Sequence, residues 1–159
     1  MLFIQDQGGA YLPAPKDAVL IEAKRISSQQ LRRGVFVKSS DLAKAAIQDK
    51  LRGYECEMFA CLFLDSRHRV LEWVEIFRGT VNSATVHPRE VVKEALRLNA
   101  TAVIIAHNHP SGDSTPSRED ITLTDKLREI LKVIDVRVLD HLIVGDEITA
   151  MSDLSHFSS

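Results

Sequence analysis

The chain has 159 residues, 45% hydrophobic and 26% charged, with a formal net charge of −2 from 20 Lys and Arg against 22 Asp and Glu. That length is one ordinary domain with enough apolar material for a core, since a domain of about 150 residues buries roughly 70% of its unfolded surface. The near-neutral balance excludes the basic footprint of a dedicated nucleic-acid binder, and Leu31-Arg32-Arg33 reads as a short solvated run.

Met1 to Asp6 carries no basic n-region and no continuous apolar h-region, so it does not read as a signal peptide. No stretch approaches the roughly 20 apolar residues of a membrane span, and a soluble, cytoplasmic protein with no membrane partner is expected. Residues up to about Pro15 read as a loose leader. Asp17 to Gln30 follows as a helix, with Val19, Leu20, Ala23 and Ile26 at helical spacing, ended by Gly34. Val35-Phe36-Val37 is a short apolar run. Ser40 suits an N-cap for a helix over Asp41 to Arg52, with Leu42, Ala45, Ala46 and Leu51 facing inward.

From Glu57 the period changes. Glu57 to Leu64 has a buried-strand pattern, Asp65 to His68 has turn composition, and Val70 to Arg78 reads as the hairpin partner broken by Gly79. Cys56 and Cys61 read as buried structural cysteines in a reducing compartment, since no C-x-x-C pair exists for a thiolate or redox site. Thr80 to Val86 is a third extended piece. Pro88 suits the first turn of a helix running to about Leu98, with His87 as its cap. Thr101 to His107 is apolar almost throughout, as a strand covered on both faces should be. A Pro-, Ser- and Gly-rich loop leads to a helix from Ser117 to about Lys132. Val136 to Val144 is another core strand, and Ile148 to Met151 pairs with it across Gly145-Asp146-Glu147. No linker divides the chain, so a single domain over 1–159 is expected, with 1–39 as an N-terminal helical extension and about 40–146 as the motif-bearing core. The order predicts an α/β fold, a mixed β-sheet flanked by helices.

The chemistry concentrates at His107-Asn108-His109. In extended chain, residues i and i+2 project to one side, so two imidazoles leave one strand end in parallel and Asn108 points away. Pro110-Ser111-Gly112 turns the chain. Ser117 as N-cap places Asp120 at helix position N3, the pattern of a capping box. Two His nitrogens and one carboxylate oxygen suit Zn²⁺, and three protein ligands leave one position open for water. A bare H-x-H pair more often just shares a loop, and Asp120 alone is a favourable helix-start carboxylate; the spacing and turn chemistry together favour metal. Asp140-His141 lies in a core-like strand. A satisfied core histidine is its plainer reading, and a hydrogen-bond partner for the ligating histidines its functional one. His68 and His156 read as surface residues.

His107-Asn108-His109-Pro110-Ser111-Gly112, followed by Pro116-Ser117 and Asp120, resembles the signature of the RadC family, a bacterial branch of the JAB/MPN (JAMM) metalloprotease superfamily. Its pattern is H-x-H, seven residues, Ser, two residues, Asp, and every position matches. Gly79 to Asn82, His87 to Glu90 and Asp140 to Gly145 also resemble family blocks, so the similarity runs over roughly Ser40 to Asp146. The resemblance implies a JAB/MPN-like α/β/α sandwich, zinc bound by His107, His109 and Asp120, and Ser117 helping to stabilise an oxyanion. It also implies an upstream glutamate acting on the water, on the strand before Gly79. Glu72 and Glu75 both stand there, three apart and so on opposite sides of a regular strand. Relatives often carry a glutamate five residues before that Gly, where Val74 stands, and a second one at the adjacent position. Glu75 is therefore the expected catalytic residue, and a bulge can alter the phase.

Longer relatives carry an N-terminal helix-hairpin-helix module. Too little sequence precedes Ser40 for one, so the short, single-domain RadC-like proteins are the nearer match. The function implied is a zinc metallopeptidase or isopeptidase. The alternative is a non-catalytic metal-containing module associated with DNA repair or mobile-element DNA processing, which the net charge does not support. Neither the substrate nor the oligomeric state is legible.

Overall fold

The computed structural model describes residues 2–79, 86–154 and 157. The leader is a small antiparallel hairpin, β1 (Phe3–Gln5) with β2 (Tyr11–Pro13), and not a loose segment. Gly9 provides the turn at φ +84, a conformation costly for a residue with a Cβ. Helix α1 (Lys16–Gln30) forms as its spacing predicts but buries none of its residues, and Leu20 and Ile26 stay about half exposed.

Helix α2 (Ser40–Leu51) is capped by Ser39, whose hydroxyl accepts from Leu42 N, and not by Ser40. The apolar face differs accordingly. Ala43, Ala46, Ile47 and Leu51 are buried, while Leu42 and Ala45 are exposed. Neighbouring helix positions differ by about 100°, so the choice of residues that meet the sheet is a tertiary one.

A five-stranded mixed sheet forms the centre. Its strands are β3 (Glu57–Leu64), β4 (Val70–Gly79), β5 (Ala102–Asn108), β6 (Arg137–Val144) and β7 (Ile148–Ala150), in the order β4-β3-β5-β6-β7. Only β5 and β6 run parallel, joined by helix α4 (Arg118–Val133); the other pairs are antiparallel. Every residue of β5 is buried, as its continuous apolar run predicts for the central strand.

Alternate side chains divide between two cores. Leu62, Leu64, Ala102, Ile104 and Ala106 join α2 in one. Cys61, Phe63, Val103 and Ile105 join α4 and helix α3 (Pro88–Arg97) in the other. The result is an α/β/α sandwich.

Pro88 stands in the first turn of α3 as expected, and His87 occupies the N-cap without a side-chain hydrogen bond. Both cysteines are free thiols, Cys61 buried and Cys56 only partly so. Of the third extended piece, residues 80–85 lie outside the described residues, as does His156. Among the described residues no helix is long and apolar enough to cross a membrane.

Candidate metal centre

His107 continues the alternation of Val103 and Ile105, so its side chain falls on the α4 face. There α4 begins. Ser117 Oγ accepts from Asp120 N at 3.1 Å and donates to Asp120 Oδ2 at 2.7 Å, and Ser117 N donates to the same oxygen at 2.7 Å. This is the expected capping box, and it aims the carboxylate at the end of β5. Asp120 Oδ1 lies 3.2 Å from His107 Nε2, and Oδ2 lies 3.4 Å from His109 Nε2. The two Nε2 atoms are 2.9 Å apart.

Glu57 completes the group. Its carboxylate and the three other ligand atoms all lie within 4.8 Å of one another. The register explains its arrival. Phe59 pairs with His107 across the antiparallel β3–β5 ladder, and Glu57 stands two residues before Phe59, on the same face. Extending the ladder sets Glu57 opposite His109.

The expected glutamates are elsewhere. Glu75 pairs with Ala60, whose own partner Ala106 faces the α2 core, so it looks away from His107. It is exposed and accepts from the Tyr54 hydroxyl at 3.0 Å. Glu72 pairs with Phe63, four residues along β3 from Phe59 and so about 13 Å away at strand rise. It binds Arg97 at 3.0 Å. Register shifts in the β3–β4 ladder set this phase, and the glutamate at the site comes from β3, not β4. Only the cross-strand register identifies Glu57.

Ser117 also departs from expectation. Its one proton is committed to Asp120 Oδ2, so in this geometry it orients that carboxylate and is not free for an oxyanion.

The donor chemistry suits a metal ion. His109 Nδ1 lies 2.7 Å from the Asp113 carbonyl, which can only accept, so that nitrogen carries the proton. Nε2 of His109 is then the atom that faces His107 and Asp120, where it can ligate a cation or carry a second proton. Bare imidazole nitrogens and carboxylate oxygens packed this closely repel unless a proton or a cation lies among them. Two histidine nitrogens and the Asp120 carboxylate are a donor set zinc accepts, with the Glu57 carboxylate beside them, so the cluster can hold a metal ion. Without one, the proton fills the role. The pKa of His109 is raised, chiefly by its hydrogen bond to Asp120. Burial works to raise that of Asp120, but His107 and His109 outweigh it and hold the carboxyl well below its ordinary range.

Two neighbouring residues support the centre. Asn108 points to the opposite side, as expected. Its Oδ1 accepts from Met58 N at 2.7 Å and its Nδ2 donates to Cys56 O at 3.0 Å, which ties the chain around Glu57 to β5. His141, at 0% exposure, faces His107 Nδ1 through Nε2 at 2.8 Å and Thr124 Oγ1 through Nδ1 at 2.6 Å. Burial lowers its pKa well below the ordinary value, so its plainer and its functional readings meet in one residue. A cleft of about 580 Å³ opens beside His109, lined among others by Arg52, Tyr54, Glu55, Pro110 and Asp146.

The profile of the RadC-like JAB domain family matches residues 37–156. A UPF0758 protein of Thioalkalivibrio sulfidiphilus is 49% identical over 140 residues, 88% of this chain and 63% of that protein. One of Vibrio cholerae is 52% identical over 127 residues, covering 80% of both. One of Nitrosococcus oceani is 51% identical over 129 residues, 81% of this chain and 58% of that protein. The chain thus spans less than two thirds of some relatives and most of another.

Proposed function

Because the chain belongs to the RadC-like JAB domain family, we propose that it is a zinc-dependent hydrolase of peptide or isopeptide bonds. In this reading His107, His109 and Asp120 hold the metal and Glu57 moves the proton. The observation that carries it is the convergence of these four side chains, from β3, the end of β5 and the start of α4, within 4.8 Å. Both the family and the cluster fit a metal-dependent hydrolase.

Zinc supplies, when bound, Lewis acidity toward a carbonyl and toward water. The chain's own groups do the rest. The Glu57 carboxylate, within 4.8 Å of the three ligand atoms, would take a proton from an attacking water and return it to the leaving amine. Ser117 keeps Asp120 aimed by two hydrogen bonds. The cleft beside His109 offers room for the chain flanking the scissile bond, and its volume is in the range of small-ligand sites. Glu55 and Asp146 outnumber Arg52 on its wall, and with a net charge of −2 this favours a peptide over a phosphodiester backbone.

The test is hydrolysis of a broad panel of peptides and lysine-linked isopeptides by zinc-loaded protein, against Glu57→Gln and Glu75→Gln. Glu57→Gln should keep its zinc and lose about 10²–10⁴-fold in turnover, the usual worth of a general base. Glu75→Gln should stay near wild type. Zinc-loaded protein that cleaves nothing in the panel sinks the proposal, and salt-dependent DNA binding without any requirement for Glu57 would favour a binding module instead.

A further inference from the structure

We propose that Thr124 and His141 form a positioning relay that fixes the proton of His107 on Nδ1 and so presents its Nε2 as a ready ligand. The inference rests on the metal-binding reading above and adds two residues to it.

Thr124 Oγ1 lies 2.6 Å from the Asp120 carbonyl oxygen. A carbonyl brings no proton, so the one hydroxyl proton of Thr124 occupies that contact. Toward His141 Nδ1, also at 2.6 Å, the hydroxyl is then the acceptor, and Nδ1 carries a proton of its own. The His141 ring is fully buried, and its hydrogen-bond partners among the described residues are His107 and Thr124 alone. A buried ring with no carboxylate partner is neutral, so its Nε2 is bare. That nitrogen accepts from His107 Nδ1 at 2.8 Å, which must therefore be protonated. His107 Nε2 is left with its lone pair, directed at His109 Nε2 and Asp120 Oδ1.

The opposite direction fails at both ends. It leaves the Thr124 and Asp120 oxygens 2.6 Å apart with no proton between them. It also puts a proton on His107 Nε2, in the space a cation needs.

The relay closes on itself. It starts at the backbone of Asp120, runs through Thr124, His141 and His107, and ends facing the side chain of Asp120. Three elements supply it: α4, β6 and β5. The first turn of α4 and the end of β5 are thereby held in one arrangement, and a ligand preset in its tautomer pays less to bind.

Two measurements test this. Long-range ¹H–¹⁵N spectra of metal-free protein at mildly alkaline pH should show His107 protonated on Nδ1 and bare on Nε2; the reverse tautomer overturns the relay. Zinc affinity by chelator competition should fall about 10–100-fold in Thr124→Val and stay within about threefold of wild type in Thr124→Ser. A folded Thr124→Val with wild-type affinity overturns the proposal, and so does a Thr124→Ser as weak as the valine variant, because packing and not the hydroxyl would then matter. If Thr124→Val does not fold, the tautomer of the unaltered protein decides. Wild-type protein that takes up no zinc brings down the metal reading itself, and the spectrum still judges the relay separately.

Discussion

Asp120→Ala separates a metal site from a mere cluster. In the intact protein Asp120 faces both Nε2 atoms at 3.2 and 3.4 Å and caps α4 through Ser117. A ligand that binds only the folded state at one hundred times its Kd stabilises by about 2.7 kcal/mol. In a domain of this size each kcal/mol moves Tm by about 2–4 °C, so zinc should raise the wild-type Tm by roughly 5–11 °C. Removing the carboxylate does two things. It deletes half of the capping box, worth about 1 kcal/mol, together with the contacts to His107 and His109, so the metal-free variant melts at least about 2–4 °C lower. It also removes one of the ligands, so the zinc-dependent rise should largely vanish. Differential scanning calorimetry with and without zinc reads both effects in one experiment, and magnesium, which prefers oxygen ligands, should shift neither protein. An equal zinc shift in wild type and Asp120→Ala would place the metal elsewhere, and no shift in wild type would refute the site.

Protons compete with the metal. His109 has a raised pKa, so in metal-free protein its stabilising contribution is full below about 6.5, its unfolded value, and is lost as pH rises through the higher folded value. Asp120 is depressed, so its contribution is present above about 3.8 and is lost only as pH falls through its low folded value. Zinc must displace the His109 proton; its affinity, followed by chelator competition, should climb with pH by about tenfold per unit until that group is deprotonated, then level off. Asn108→Ala leaves Met58 N without its acceptor in a buried position and should cost roughly 1–3 kcal/mol in urea unfolding, with a drop in any Glu57-dependent activity. At Gly145 a Cβ would sit 2.2 Å from the Gly112 carbonyl oxygen. Gly145→Ala should therefore displace the loop that anchors His109 through Asp113, costing roughly 1–3 kcal/mol and weakening zinc, read by unfolding and metal titration together.

The sequence by itself determined what local rules govern. His107 and His109 share a side because an extended chain alternates. Asp120 returns to them because Ser117 caps a helix at the right spacing. The apolar run before His107 marks the central strand because only such a strand is covered twice. These are interactions between residues close in the chain, and their geometry follows from φ, ψ and period.

What only the tertiary structure decided lies between distant segments. Glu57 stands 50 residues before His107 and meets it only through the antiparallel register of β3 on β5. A one-residue slip reverses every side chain, and no local signal fixes it. The same ambiguity leaves Glu75 a candidate in the sequence, and the β3–β4 ladder turns it toward the other face. His141 reads as an ordinary core histidine until parallel pairing sets it beside Ile105 and α4 brings Thr124 to its other nitrogen. The buried face of α2 departs from its spacing for a like reason, since the stripe is chosen by the sheet it covers. Local periodicity sets which elements form; long-range register and packing set which side chains share a site.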